Sequence, residues 1–430
     1  MREPVGDALP TGRAATGHAR LPSGNPPIDR PCRTATRAET RGVPSAWARS
    51  TQPDSGTATW RGWSASSWVA TFRLCDYRAS HRAFLARHGL QRNQLPRLPE
   101  PTMSEPTMKA WRLHEPGGAE AFVLEDLPIP EPKQDRVLIK VAAFGLNRSE
   151  WFTRIGESPS VTLPRVLGIE CVGTVVCAPG GGFEEGQRVA AMMGGMGREF
   201  DGSYAEYTSV PAANVFALKS ELPWDIFGAL PEMLQTCHGS LHTGLAVERG
   251  ETLLIRGGTS SIGLTTLVMA KAAGLQVIST SRSDAKFDML HTAGADEVVI
   301  DVGSLATKVR ERHPDGVDRV LELVGTTTLL DSLQCARPGG VVCMTGILGG
   351  RWDLTSFRPM EQIPTGVRLT SYSGGASDIS KEDLQRYVSM VERSELTIRT
   401  GPVWTFDQLP LAHQAMDENR ANGKMVVVIE

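Results

Sequence analysis

The chain changes its hydrophobic rhythm twice. Up to residue 107 no period of 2 or 3.6 is sustained, and the stretch is rich in Pro, Gly, Ser, Thr, Ala and Arg. Such a composition buries too little apolar surface to offset the entropy of ordering the chain. From about 108 to 230, apolar and polar residues alternate in short runs broken by Gly and Pro. "VLIKVAAFGLN" (Val137–Asn147) starts as an alternating strand, and "GIECVGTVVCAPGGG" is a β-branched strand ended by a glycine turn. "GQRVAAMM" and "GSYAEYTSV" add two more, so this module is predicted to be all-β. The Pro-punctuated "LEDLPIPEPKQD" is expected to be a loop.

Near Pro223 the period lengthens. "WDIFGALPEMLQTCHGSLHTGL" has helical spacing, "ETLLIRGG" reads as a buried strand, and "SSIGLTTLVMAKAAG" as a helix stopped by Gly274. "LQVISTS", "EVVID", "DRVLELVG" and "GGVVCMTG" are further strands, separated by the helical "DAKFDMLHTAG" and "LLDSLQCAR". Repeated strand–helix–strand units predict a doubly wound parallel sheet. "DLQRYVSMVERSEL" is a later helix, and "GKMVVVIE" closes the chain as a strand.

Between the first strand and helix of this sheet lies "RGGTSSIG" (Arg256–Gly263). Gly258 and Gly263 hold the outer positions of a G-x-G-x-x-G loop, and Ser260 replaces the middle glycine. Small residues here let a pyrophosphate reach backbone N–H groups at a helix N-terminus, and the hydroxyls of Ser260 and Ser261 are expected to donate to phosphate oxygens, with Ile262 alongside. The alternative is a tight turn without ligand; the surrounding alternation favours a dinucleotide. After strand Gln276–Thr280, an NAD-binding sheet places an acid on the ribose hydroxyls. This chain has "STSRSDAK", where Ser281, Arg282 and Lys286 suit a 2′-phosphate and Asp284 is expected to open the next helix. NADPH is therefore the expected cofactor, against the plainer alternative of a solvated basic turn.

Charge sharpens the division at 108. Residues 1–108 contain fifteen Arg, no Lys and eight acidic residues, a balance of +7, and the rest of the chain carries −10. The acidic body argues against nucleic-acid binding. Seven cysteines without a CxxC pair fit free thiols in a reducing compartment, and Cys171 and Cys177 read as buried core thiols on one strand face. No apolar run approaches the roughly 20 residues that span a bilayer, so a soluble protein with no membrane partner is expected. For residues 1–107 three readings stay open: an Arg-rich transit segment, a disordered arm, or sequence upstream of a start at Met103 or Met108. A short helix around Ser80–Gly89 is compatible with any of them. The expected location is cytoplasmic, or mitochondrial if the segment is a transit peptide.

Taken in order, "GLNRSE" (Gly145–Glu150), "PRVLGIECVGTV" (Pro164–Val176), "DGSYAEY" (Asp201–Tyr207), "GGTSSIG", "DRVLELVG" and "AHQAMDENRANGKMVVV" resemble the medium-chain dehydrogenase/reductase superfamily. The branch they resemble is that of zinc-free quinone oxidoreductases and enoyl reductases. The resemblance covers about 108–430. It implies an α/β fold with a GroES-like β-barrel catalytic domain (108–230), a Rossmann NADPH-binding domain (231–366) and a return to the first domain (367–430). It also implies a homodimer, and sometimes a tetramer.

The resemblance places zinc ligands of metal-dependent relatives at Asn147, Ile169 and, less certainly aligned, Glu232. Isoleucine cannot coordinate and an amide is a poor zinc ligand, so no metal is expected. His238 and His242 are spaced i, i+4 on a predicted helix and are read as ordinary polar or interface histidines. The resemblance further implies Asn147 near the nicotinamide, Ser149 in a proton relay, Thr236 beside the cofactor, and Gly346 of "TGILGG" at the edge of the nicotinamide pocket. Phe152 stands where relatives often carry Tyr, and Asp301 where some carry a cofactor-contacting Tyr. With Trp151, Phe152 implies an aromatic-lined pocket for a flat acceptor. Structural alternatives stay open: a turn-stabilising Asn147, a helix-capping Ser149, and core positions for Trp151 and Phe152. The expected function is NADPH-dependent reduction of quinones or α,β-unsaturated carbonyls. The rivals are a metal-dependent alcohol dehydrogenase and a non-catalytic NADPH-binding redox sensor or RNA-binding protein.

Overall fold

The computed structural model describes residues 106–158 and 161–429; the Arg-rich stretch before them, with its expected helix at Ser80–Gly89, lies outside the described residues. The alternating runs form a curved seven-stranded sheet. Its strands lie in the order Thr400–Thr405, Lys424–Val428, Arg136–Gly145, Glu170–Cys177, Arg188–Met192 and Val215–Ala217, with Tyr207–Pro211 also paired to Arg136–Gly145. Phe144, Leu167, Met196, Tyr204 and Val427 pack its interior. Cys171 is a buried thiol, pushed up by burial. Cys177 is half-buried and disulfide-bonded, so the expected pair of core thiols holds for Cys171 alone and the expectation of free thiols fails at Cys177.

The expected loop "LEDLPIPEPKQD" is partly wrong. Phe122–Pro128 is a strand, paired antiparallel with Thr107–Leu113 so that Trp111 faces Leu124. Its first proline, Pro128, is the last residue of an edge strand, where the missing N–H breaks no ladder. The helical run after Pro223 divides into Trp224–Phe227 and Pro231–Gly239, the second started by a proline at its first turn and continued by a π-turn at Ser240–Gly244.

Six parallel strands form the second sheet, in the order Glu297–Ile300, Gln276–Ser281, Thr252–Arg256, Val317–Glu322, Ala336–Met344 and Arg368–Ser371. The order reverses direction at Thr252–Arg256, the topology of a doubly wound dinucleotide fold. Alternate residues of Thr252–Arg256 feed opposite cores: Leu253 and Ile255 pack with Leu264 and Leu267, while Leu254 packs with Ile278, Val320 and Leu333. Burial on both faces explains the continuous apolar run in the sequence. The strand Arg368–Ser371 continues this sheet past residue 366, and the chain rejoins the first sheet at Thr400–Thr405 and Lys424–Val428.

Candidate active site

A cleft of about 980 Å³ opens between the two sheets. Gly257, Ser281, Asp301, Leu323, Thr345 and Tyr372, which lie at or just beyond the carboxyl ends of the six parallel strands, all line it. Ligands of doubly wound folds bind outside those ends. From the other sheet come Asn147, Ser149, Phe152, Ile169, Met193 and Arg198.

The glycine-rich loop is shaped by close packing. A Cβ at Gly258 would lie 1.9 Å from Ser279 Oγ, and one at Gly263 would lie 2.5 Å from the Gly257 carbonyl oxygen. Neither glycine lines the cleft; they bring helix Ser261–Ala273 down onto the strand. Gly257 turns the chain at φ 89° and does line the cleft, with Ser260, Ser261 and Ile262. Ser260 caps the helix, its hydroxyl accepting from Gly263 N at 3.0 Å and donating to the Gly257 carbonyl at 2.8 Å. Its proton is therefore engaged within the turn, which leaves Ser261 to present a hydroxyl. The helix N-terminus and the bare backbone of Gly257 fit a dinucleotide pyrophosphate.

Next to this cradle, Ser281 is buried and donates to the Ser283 carbonyl at 2.7 Å, while Arg282 and Lys286 are exposed on the cleft wall. Neither cation has an ion-pair partner among the described residues. Asp284 heads a single 3₁₀ turn, Asp284–Lys286, before helix Phe287–Thr292. The nearby carboxylate of Asp301 is held by Arg256, which is fully buried and reaches it through Nε at 2.7 Å and Nη2 at 2.8 Å. Arg256 also binds Asp331 at 2.8 Å, so one guanidinium joins three strand and helix ends and neutralises the acid beside the basic turn.

On the floor of the cleft, Asn147 and Glu232 share one partner. Lys424 Nζ donates to Asn147 Oδ1, to Glu170 Oε1 at 2.8 Å and to Glu232 Oε2 at 3.1 Å. Burial opposes its charge, but Glu170 and Glu232 outweigh burial and hold the ammonium protonated. Asn147 Nδ2 donates to Glu170 Oε1 at 3.0 Å, and Glu232 Oε1 accepts from Thr236 Oγ1 at 2.8 Å. Ile169 lines the cleft, and its backbone N–H donates to Glu150 Oε1 at 3.0 Å. Burial raises the Glu150 carboxyl to about 7, and its Oε2 has no hydrogen-bond partner. Lys424, Glu170 and Glu150 carried no role in the sequence; "GLNRSE", "GIE" and the terminal "GK" contain them only as parts of longer motifs.

Phe152 lines the cleft, whereas Trp151 stands behind it with its indole Nε1 donating to Asp417 Oδ1 at 2.6 Å. The second aromatic wall is Trp352, whose ring meets Phe152 edge-on at 5.0 Å. No local pattern singled out Trp352. Ser149 is the second residue of helix Arg148–Arg154, whose N-cap is Asn147, so the capping alternative for Ser149 is excluded. Its Oγ accepts from Arg198 Nη1 at 3.3 Å. Thr236 and Gly346 both line the cleft. The only tyrosine on its wall among the described residues, Tyr372, gives its hydroxyl hydrogen to Asp378 Oδ2 at 3.0 Å. The rings of His238 and His242 lie 4.4 Å apart, tilted by 50°, and outside the cleft, with His238 Nδ1 3.1 Å from the Tyr387 hydroxyl.

Two family models match the chain: an alcohol dehydrogenase GroES-like domain over residues 133–220 and a zinc-binding dehydrogenase over 261–393. A quinone oxidoreductase of Sus scrofa is 27% identical over 336 residues, covering 74% of this chain and 97% of the relative. The chain belongs to the medium-chain dehydrogenase/reductase superfamily, in its quinone oxidoreductase-like branch. A 2-methylene-furan-3-one reductase of Solanum lycopersicum is 28% identical over 74% of this chain and 78% of its own. A mycobacterial protein solved with NADPH superposes with a TM-score of 0.66 at 25% identity, covering 75% of this chain and 99% of that one. This member of the superfamily is an oxidoreductase, and its cofactor is a nicotinamide nucleotide.

The superfamily's zinc does not fit this site. Of the positions that the resemblance assigns to zinc ligands, Ile169 offers only hydrocarbon, and Asn147 and the less certainly aligned Glu232 are already bonded to a buried ammonium. Among the described residues no group of three or more His, Cys, Asp or Glu is arranged to hold a metal ion.

Proposed function

We propose that this protein reduces quinones or α,β-unsaturated carbonyls with NADPH, by hydride transfer that requires no zinc. One observation carries the reading: the phosphate cradle opens directly onto an aromatic-walled pocket in which Ile169 occupies a metal-ligand position. The choice of NADPH over NADH rests on Arg282 and Lys286 at the ribose turn and on the neutralisation of Asp301 by Arg256. These groups favour a 2′-phosphate by charge-assisted hydrogen bonds.

When bound, the reduced nicotinamide supplies the hydride. Thr236 and Gly346, which line the cleft, would hold the nicotinamide end of the cofactor, and Phe152 and Trp352 would offer aromatic walls to a flat acceptor. In an enone, hydride addition at the β-carbon would move the alkene π pair into the bond between the α-carbon and the carbonyl carbon and the carbonyl π pair onto oxygen; a proton from solvent on the α-carbon would then restore the carbonyl. Ser149, next to Arg198, is a hydroxyl on the barrel side of the pocket that could donate to the developing oxyanion. A substrate alcohol would need a metal or strong base to lose its proton, which favours electron-poor acceptors.

Oxidation of NADPH and NADH by the full chain, measured in parallel against quinones, enones, enoyl thioesters and aldehydes, tests this. The expected result is turnover of quinones or enones with NADPH preferred. Turnover confined to aldehydes, or a preference for NADH, would contradict it.

A further inference from the structure

The pocket floor contains a permanent positive charge at the centre of the metal-ligand positions. Lys424 begins the last strand, which pairs antiparallel with Arg136–Gly145 and so brings the ammonium under the cleft. Its side chain is 2% exposed. An ammonium has three hydrogens, and the three acceptors here are Asn147 Oδ1, Glu170 Oε1 and Glu232 Oε2. Two of these belong to residues at ligand positions, and Glu170 directly follows the third, Ile169. Room for the pair is made at Gly145, where a Cβ would lie 2.4 Å from Glu170 Oε1 and 2.6 Å from Lys424 Cε. The ion pair is therefore built into the barrel rather than resting against it.

We propose that the Lys424 ammonium is the resident cation of this active site, taking the place of the metal and positioning the pocket floor through Asn147 and Glu232. The proposal rests on reading the cleft as the site of cofactor and acceptor. Lys424 acts through its partners. Asn147 lines the cleft and is fixed from below, its oxygen by Lys424 and its nitrogen by Glu170. Glu232 fixes Thr236, the second polar group on the floor, and Glu170 Oε2 accepts from the Glu232 backbone N–H at 2.8 Å. A catalytic zinc keeps one position open for a substrate oxygen. This ammonium has none left, so it supplies structure and charge but no Lewis acid. Oxidation of simple alcohols should accordingly be absent.

Three measurements on the full chain test the proposal. First, wild-type protein incubated with zinc and freed of excess should retain no stoichiometric metal; one tightly held zinc per chain, lost on Asn147→Ala substitution, would overturn it. Second, Lys424→Ala should lower kcat on a quinone by about ten- to a hundredfold, as removal of a supporting residue does, with a smaller change in KM for NADPH. Added ethylammonium should restore part of the loss, and ethanol should not; wild-type kcat in Lys424→Ala would overturn the proposal. Third, if that variant does not fold, Lys424→Met with Glu170→Gln removes the buried charges together. Wild-type kcat and wild-type NADPH affinity in this double variant would overturn it equally. If the wild type turns over no acceptor, the functional reading fails, while zinc uptake and the NADPH affinity of the variants still decide the role of Lys424.

Discussion

Glu150 has one carboxylate oxygen bonded to Ile169 N–H and the other without a partner, in a site sealed from water. Burial raises it from 4.5 to about 7. Between those values folded Glu150 holds its proton while the unfolded chain loses it, so the Glu150 contribution to stability is full below pH 4.5 and is lost as pH rises to about 7. Glu150→Gln keeps the acceptor but cannot ionise. Its stability should exceed that of wild type above pH 7 by on the order of 3 kcal/mol, with the gap closing in acid; chemical denaturation across this range would show it, and identical profiles would refute it. At the basic turn, Arg282→Ala or Lys286→Ala should raise KM for NADPH about tenfold, the effect of losing one good phosphate contact, and leave KM for NADH unchanged. Asn147 and Ile169 were legible because each sits in a short motif, and Glu232, outside one, was aligned less certainly. Lys424 was not, since it lies 277 residues from Asn147 and 192 from Glu232, and only the pairing of the last strand joins them.

Strand and helix positions follow the hydrophobic period closely where both faces of a sheet are buried. The run Thr252–Arg256 and the helix ended by Gly274, at φ 85°, needed only local information. Phe122–Pro128 did not yield to the same reading, because its prolines outweighed an edge strand that exposes Val123 and Leu124. The glycine loop was located correctly, yet its chemistry shifted: Ser260 caps helix Ser261–Ala273 instead of presenting its hydroxyl. Ser260→Ala should therefore cost about 1 kcal/mol in unfolding free energy, the usual price of an N-cap. A denaturant midpoint equal to that of wild type would show that the cap contributes nothing.

Over the whole molecule, the cleft exists because two sheets contribute opposite walls. Phe152 comes from the barrel side and Trp352 from the loop after the fifth parallel strand, and their rings meet edge-on on the cleft wall. Trp352→Ala should raise KM for quinones several-fold, consistent with one aromatic contact of about 1 kcal/mol, and leave KM for NADPH unaltered. None of the helices among the described residues is long and apolar enough to cross a membrane. The most direct test of metal-free hydride transfer uses NADPH carrying deuterium at both C4 positions of the nicotinamide, with an enone acceptor and enzyme kept in chelator. Direct hydride transfer without zinc gives a saturated ketone with one deuterium on the β-carbon. A product without deuterium, or transfer that appears only when zinc is restored, would contradict it.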